Sequence, residues 1–200
     1  MRAVRPAVAV ALLLLSVPAV AGASSHGCTV LTDAAGDVRA DAAPGTDRLP
    51  DGHVDLTAVR MVSTGSQLSV EFHVTDLAPY RTGRWVLTFR SGARQLFVQG
   101  ERGPADVNAG TAVGSGSRAG VVGSRGQAAS GVFDEAANVV RVTAPATAFG
   151  ASGLRGATLS DFRAQAREVV ANVGAVGLEQ EVAVSDTAAG AGVRRLAACR

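Results

Sequence analysis

The stretch that decides the fold is residues 54–75, VDLTAVRMVSTGSQLSVEFHVT, in which two alternating segments flank a tight turn. Gly65-Ser66 is a two-residue turn of the glycine-first type, and such a turn fixes the pairing of its strands. On one face the predicted cross-strand pairs are largely apolar: Met61 with Val70, Val59 with Phe72 and Thr57 with Val74. On the other face they are polar, with Arg60 opposite Glu71 and Ala58 opposite His73. A one-residue slip would mix the faces, so we predict a β-hairpin with one buried side.

Two further segments repeat this pattern. Residues 84–90 and 94–99 flank a Gly92-Ala93 turn, which pairs Phe89 with Leu96 and Leu87 with Val98 and places Trp85 on the same apolar face. We therefore expect Trp85 to pack in the core. A third hairpin is predicted between residues 131–133 and 139–144, whereas the glycine-rich residues 108–126 lack periodicity.

The segment 159–173 fits two structures. Phe162, Ala166, Val169, Val170 and Val173 recur at helical spacing, and Ser160 is a suitable N-cap. The segment also alternates, with apolar residues at Phe162, Ala164, Ala166 and Val170 and a break at Glu168. A strand is therefore the alternative to the helix. Residues 181–186 form a last short strand. Short strands separated by turns predict an all-β fold, an antiparallel β-sandwich of the jelly-roll or immunoglobulin-like kind.

The first 23 residues have the pattern of a secretory signal peptide. Arg2 and Arg5 precede an apolar stretch over residues 7–17, and small residues suited to cleavage follow Pro18. This stretch is shorter than the about 20 residues that cross a bilayer. We therefore expect a secreted, extracellular protein with no transmembrane segment in the mature chain, which would be a single β-sandwich domain over residues 24–200 and a monomer.

Charge and composition exclude several functions. All 19 basic residues are arginine, and the absence of lysine excludes Schiff-base chemistry and a Walker-type phosphate loop. Removing Arg2 and Arg5 leaves 17 arginines against 17 acidic residues, so net charge gives no reason to expect nucleic acid binding. The sequence has no Gly-x-Ser-x-Gly motif and no other catalytic signature.

The two cysteines, Cys28 and Cys199, lie near the two ends of the mature chain. In an exported protein, a pair of otherwise unexplained cysteines favours a disulfide, which would stabilise the fold by about 4–5 kcal/mol in the chain-entropy model. The alternative is that Cys28 is a lipidated amino terminus. Ser25 stands three places before it, where acylation needs an apolar residue, so we predict the disulfide.

A family resemblance emerges from several short motifs. Val30-Leu31-Thr32-Asp33-x-x-Gly36-Asp37, Val54-Asp55-Leu56-Thr57, Gly131-Val132-Phe133-Asp134 and Ser185-Asp186-Thr187-Ala188 together resemble the DOMON-like and family 9 carbohydrate-binding-like modules of secreted actinobacterial proteins. The resemblance covers most of residues 28–190. It implies a β-sandwich, strand rather than helix for residues 161–170, and binding of sugar, haem or structural calcium.

An acidic region is the one candidate site. Six aspartates, Asp33, Asp37, Asp41, Asp47, Asp51 and Asp55, fall between residues 33 and 55. Calcium takes about six to eight oxygen ligands, which clustered carboxylates and loop carbonyls supply. An EF-hand-type loop beginning at Asp47 lacks two ligand positions, at Leu49 and Ala58, and His53 within it is an exposed loop residue or a ligand. We therefore predict a calcium site of Asp33, Asp37 and Asp55, to which the resemblance adds Asp186, with a solvated acidic loop as the alternative.

Haem and sugar would each need particular side chains. The predicted register puts Met61 and His73 on opposite faces of the hairpin, so they cannot be the two axial ligands of one iron. Sugar binding usually needs an exposed aromatic platform, and Tyr80 is the candidate. We expect an exported, non-catalytic binding or interaction module whose partner is a polysaccharide or cell-wall component. The alternative is an extracellular hydrolase with a site assembled from distant residues.

Overall fold

The structure is a computed structural model that describes residues 27–41, 52, 54–77, 82–103, 105–106, 111–112, 116–150, 154, 156–173, 180–196 and 199. The predicted signal peptide, half of the EF-hand-like loop including His53, and Tyr80 lie outside the described residues. No helix in the described part is both long and apolar enough to cross a membrane.

The described secondary structure is β-strand, apart from a 3-10 turn at Ala146–Phe149. The strands are β1 (Cys28–Thr32), β2 (Arg39–Asp41), β3 (Leu56–Ser63), β4 (Gln67–Val74), β5 (Gly83–Ser91), β6 (Arg94–Arg102), β7 (Ala105–Asp106), β8 (Thr111–Ala112), β9 (Gly116–Val121), β10 (Gln127–Asp134), β11 (Val139–Pro145), β12 (Thr158–Val173), β13 (Gln180–Gly190) and β14 (Arg194–Arg195). This confirms the predicted all-β class.

Twelve strands form one antiparallel sheet in the order β1-β3-β4-β11-β10-β9-β6-β5-β12-β13-β2, with β14 paired to β12; β7 and β8 form a separate ribbon. Strand β10 joins the two halves, because residues 130–134 pair with β11 and residues 127–129 pair with β9. The sheet curls, so that β1 and β3 contact β12 and β13 near its other end. We call the region where the two ends meet the seam.

The apolar faces of the two halves enclose a single core. Trp85, on β5, is fully buried as predicted, and its ring centroid lies 5.7 Å from that of Phe133 on β10. A Cβ built at Gly100 on β6 would lie 2.9 Å from the Val142 side chain on β11, so these strands face each other closely. Packing at this density is typical of protein interiors.

The first hairpin forms as predicted except at its open end. Met61 pairs with Val70, Val59 with Phe72 and Arg60 with Glu71. The predicted pair of Thr57 with Val74 is wrong, because an irregularity between Leu56 and Ala58 shifts the register and Leu56 takes that place. The shift buries Leu56 completely and leaves Thr57 half-buried, which favours the apolar side chain at the inward position.

The other predicted hairpins are confirmed. Leu87 pairs with Val98 in the second hairpin, and Phe133 pairs with Val140 in the third. The last strand, β13, extends to Gly190 and is longer than predicted.

The segment over residues 158–173 is a strand, so the helical spacing and the Ser160 N-cap were misleading. Phe162, Ala164, Ala166 and Glu168 are all buried. Glu168 therefore continues the inward series that its charge was expected to interrupt, and it accepts a hydrogen bond from Thr82 Oγ1 at 3.3 Å.

A disulfide joins Cys28 to Cys199, as predicted, with the two Cα atoms 4.8 Å apart. It fastens the carboxy-terminal segment to the start of β1. The backbone N–H of Ser63 on β3 donates to the Cys199 carbonyl at 2.8 Å, which adds a second link to the same segment.

Candidate functional site

Three of the four predicted metal-ligating aspartates meet at the seam. Asp33 follows β1, Asp37 precedes β2, and Asp186 lies on β13. One carboxylate oxygen from each lies within 4.8 Å of one from each of the others. Because β1 and β13 belong to opposite ends of the sheet, only its closure brings these residues together.

Asp186 is the buried member of the cluster. Its Oδ2 accepts a hydrogen bond from the Leu56 N–H at 2.7 Å, and its Oδ1 accepts one from the Thr187 N–H at 2.6 Å. The first of these bonds ties β13 to the start of β3. Two backbone donors hold the carboxylate in one orientation.

Asp33 has one oxygen satisfied and one unsatisfied. Its Oδ1 accepts a hydrogen bond from the Ala34 N–H at 3.0 Å. Its Oδ2 is buried and has no hydrogen-bond partner among the described residues. A buried carboxylate oxygen without a donor is costly, so this atom is the one in the cluster that most needs a positively charged ligand.

Asp55 lies beside the cluster, and its oxygens are engaged by protein donors. Both accept from the Gly36 N–H, at 3.0 and 2.9 Å, and Oδ2 also accepts from Thr75 Oγ1 at 2.6 Å. Gly36 has a φ of 86°, a left-handed conformation that suits glycine. Asp55 thus holds the turn between Asp33 and Asp37; its assignment as a metal ligand stays a prediction.

Burial and mutual repulsion both disfavour negative charge in this cluster. Burial is the main cause that raises the pKa of Asp186 to about 6, and the charges of Asp33 and Asp37 act in the same direction against the lowering effect of its two backbone hydrogen bonds. Burial also raises the pKa of Asp33, as do the charges of Asp37 and Asp55. Within the described residues, no arginine or histidine forms an ion pair with Asp33, Asp37 or Asp186.

A small pocket opens beside the cluster. It has a volume of about 230 Å³ and is lined by Asp37, Ser185, Asp186 and Thr187. All four side chains carry oxygen, the donor that hard cations such as calcium prefer. The residues present therefore fit a hard cation together with coordinating water.

Comparisons with family models, with curated proteins and with solved structures found no match. The site is therefore interpreted from its own geometry.

The pocket residues Ser185 and Thr187 were not predicted from the sequence. Alternation along β13 predicts that Ser185 and Thr187 face away from Asp186. The pocket nevertheless borders all three residues, and the local sequence pattern does not predict this arrangement.

The structure places Met61 in the core, whereas His73 is half-buried beside Glu71, so the two side chains diverge as the predicted register requires.

Proposed function

We propose that this protein is an exported, non-catalytic binding module whose sheet is held closed by a calcium ion. The observation that carries the proposal is the meeting of Asp33, Asp37 and Asp186 at the seam with no cationic partner among the described residues. Clustered carboxylates in a partly buried place are unfavourable alone and favourable around a divalent cation.

Asp33, Asp37 and Asp186 would hold the ion, with Asp33 Oδ2 as the oxygen that accepts no hydrogen bond from the described residues. The ion would neutralise the repulsion between the carboxylates and cross-link β1 to β13. Asp55 would position the loop through its bonds to Gly36 and Thr75. We propose a structural role for the ion, because the cluster lies at the seam, where an ion held by Asp33 and Asp186 would link the two ends of the sheet.

The proposed ligand is a polysaccharide or cell-wall component, which is the class that the resemblance to carbohydrate-binding modules implies. Tyr80 remains the proposed aromatic platform.

The disulfide is compatible with the proposed extracellular location, since disulfides persist in oxidising compartments. The hydrolase alternative would need its site in a polar pocket such as the one beside Asp186, and it stays a prediction.

The experiment is calcium titration of the mature protein by calorimetry, with thermal unfolding in calcium and in chelator. At a calcium concentration about a hundredfold above Kd, we expect about 2–3 kcal/mol of added stability. Asp33→Asn should abolish most of this added stability, because it removes the negative charge of the carboxylate whose Oδ2 accepts no hydrogen bond from the described residues. Asp134→Asn is the matched control: Asp134 is the last residue of β10, and asparagine keeps the oxygen that accepts from the Ala137 N–H in the following turn.

The proposal fails if the wild-type protein shows neither heat nor a change in melting temperature on adding calcium. It also fails if Asp134→Asn loses the calcium response as fully as Asp33→Asn.

A further inference from the structure

Arginines concentrate on the outer face of the half-sheet β9-β6-β5-β12. Outward-pointing positions alternate with buried ones along these strands, so their side chains share one surface. Five arginines of the strands project there, and a sixth lies in the loop after β9: Arg84, Arg90, Arg118, Arg163, Arg167 and Arg125. We call these six residues and the surface between them the arginine face.

The cross-strand register spaces this surface regularly. In one row Gln165, Val86, Gln99 and Arg118 are successive partners on β12, β5, β6 and β9. The neighbouring row contains Arg163 and Thr88. Adjacent strands lie about 4.8 Å apart and successive outward residues about 6.6 Å apart. The result is an ordered array in which arginines lie among amide, hydroxyl and half-buried apolar side chains.

Half of the positive charge on this face is uncompensated. Arg84 pairs with Glu101 at 3.4 Å, and Arg90 pairs with Asp161 at 3.7 Å. Arg118, Arg125 and Arg163 are exposed, and within the described chain no carboxylate forms an ion pair with any of them.

The opposite outer face, on β3, β4 and β11, differs. There Arg60 and Arg141 both contact the Glu71 carboxylate, at 3.8 and 2.9 Å, so each of these two arginines has a carboxylate partner.

A groove runs along one side of the arginine face. It has a volume of about 650 Å³, and Arg118 and Arg125 line it together with the small residues Gly116, Ser117, Ala128 and Ala129. The loop that carries Arg125 is packed onto the sheet, because a Cβ at Gly126 would lie 2.7 Å from the Phe97 ring. Two unpaired guanidinium groups thus border a concave surface with a floor of small side chains.

We propose that the arginine face binds an acidic polysaccharide whose sugar units carry carboxylates, a polyuronate. Guanidinium groups bind carboxylates through two parallel hydrogen bonds, and lysine, which this chain lacks, does not. Gln99, Gln165 and Thr88 between the arginines offer donors and acceptors for sugar hydroxyls. Arginines spaced along neighbouring strands suit an extended chain with a repeating charge. The choice of a glycan rests on the proposed function; the site itself is separate from the aspartate cluster.

Two other polyanionic partners fit this face less well. A membrane surface requires several apolar side chains that insert beside the basic ones. Among the described residues of this face Val86 and Phe97 are half-buried, and Val122, in the loop that carries Arg125, is the one large apolar side chain that is exposed. Single-stranded nucleic acid requires aromatic platforms for base stacking, and no exposed aromatic side chain lies on the described strands of this face.

The test is affinity electrophoresis and calorimetry of the mature protein with polygalacturonate, in chelator so that calcium cannot bridge carboxylates. We expect binding that weakens as salt is raised. Arg118→Gln with Arg163→Gln should weaken binding about tenfold or more, since each removes a charge-assisted contact. Arg60→Gln with Arg141→Gln removes the same charge from the opposite face and should change the affinity by less than about twofold. Circular dichroism verifies that each variant is folded.

The proposal is overturned if polygalacturonate does not bind, if the two double variants weaken binding equally, or if duplex DNA or phosphatidylglycerol vesicles bind as tightly. Its failure is distinguishable from that of the proposed function. Binding of a neutral cell-wall polysaccharide with no binding of polygalacturonate would refute only the arginine face. A calcium response absent from a protein that still binds polygalacturonate would refute only the calcium site.

Discussion

Asp186 places a carboxylate in the interior of the protein, where two backbone N–H groups fix both of its oxygens. These bonds favour the charged form, but burial outweighs them, and the pKa of Asp186 rises to about 6. In an unfolded chain the pKa of an aspartate is about 3.9. The folded protein therefore binds a proton at Asp186 more readily than the unfolded chain does.

The sign of the pH dependence follows from this difference. Between about pH 4 and pH 6 the folded state holds more protons at Asp186 than the unfolded state, so this group makes stability fall as the pH rises. Above about pH 6 the ionised Asp186 lowers the free energy of unfolding by its full amount, on the order of 3 kcal/mol. We predict that, in chelator, the wild-type protein loses stability over this range relative to Asp186→Asn, which cannot titrate. Urea unfolding of both proteins at several pH values measures the difference.

Calcium should reverse this dependence, because an ion bound to ionised carboxylates competes with protons. Parallel stability curves for wild type and Asp186→Asn in chelator would show that the shifted pKa contributes nothing.

At the scale of elements, the sequence predicted the hairpins well because their register is fixed locally. A two-residue turn and the alternation beside it specify the pairs of Met61 with Val70 and of Leu87 with Val98. The register at Leu56 was mispredicted, since its position depends on contact with the distant Asp186, whose Oδ2 accepts from the Leu56 N–H. Local alternation contains no information about that contact.

Strand β12 illustrates the same limit. Its alanines have high helix propensity, and helical and strand spacing coexist in its sequence. The segment forms a strand because it pairs with β5 on one side and with β13 on the other. Likewise, Asp33, Asp37 and Asp55 were found by clustering along the chain, whereas Asp186 was reached only through the family resemblance.

The close approach of β6 to β11 predicts the effect of one added methyl group. Gly100→Ala would place a Cβ 2.9 Å from the Val142 side chain and 3.2 Å from that of Val140, so these side chains or the strands that carry them must shift. We expect a loss of about 1–3 kcal/mol in the free energy of unfolding. Gly116→Ala is the matched control on neighbouring β9, because a Cβ there meets nothing within 4 Å. Equal stabilities of the two variants in urea would contradict the facing arrangement of the half-sheets.

At the scale of the whole molecule, charge is segregated although the predicted mature chain has no net charge. Among the described residues, the carboxylates of Asp33, Asp37 and Asp186 gather at the seam and the guanidinium groups of Arg118, Arg125 and Arg163 on the arginine face, and none of the six forms an ion pair there. Three links also cross or flank the seam: the Leu56–Asp186 hydrogen bond, the Ser63–Cys199 hydrogen bond and the disulfide. Closure of the sheet thus depends on contacts between residues far apart in the chain.

The disulfide closes a loop with a sequence separation of 171 residues. A cross-link of this span acts mainly by restricting the unfolded chain, so Cys28→Ala with Cys199→Ala should lower the free energy of unfolding by about 4–5 kcal/mol. The urea m-value should rise, because the released unfolded chain expands and exposes more surface. Wild-type protein unfolded in reductant is the control and should match the double variant in both quantities. The contrary result is a double variant that keeps the wild-type m-value and loses less than about 1 kcal/mol in the free energy of unfolding. That result would show that the disulfide does not restrain the unfolded chain. The hydrogen bonds and packing at the seam would then suffice to hold the two ends of the sheet together.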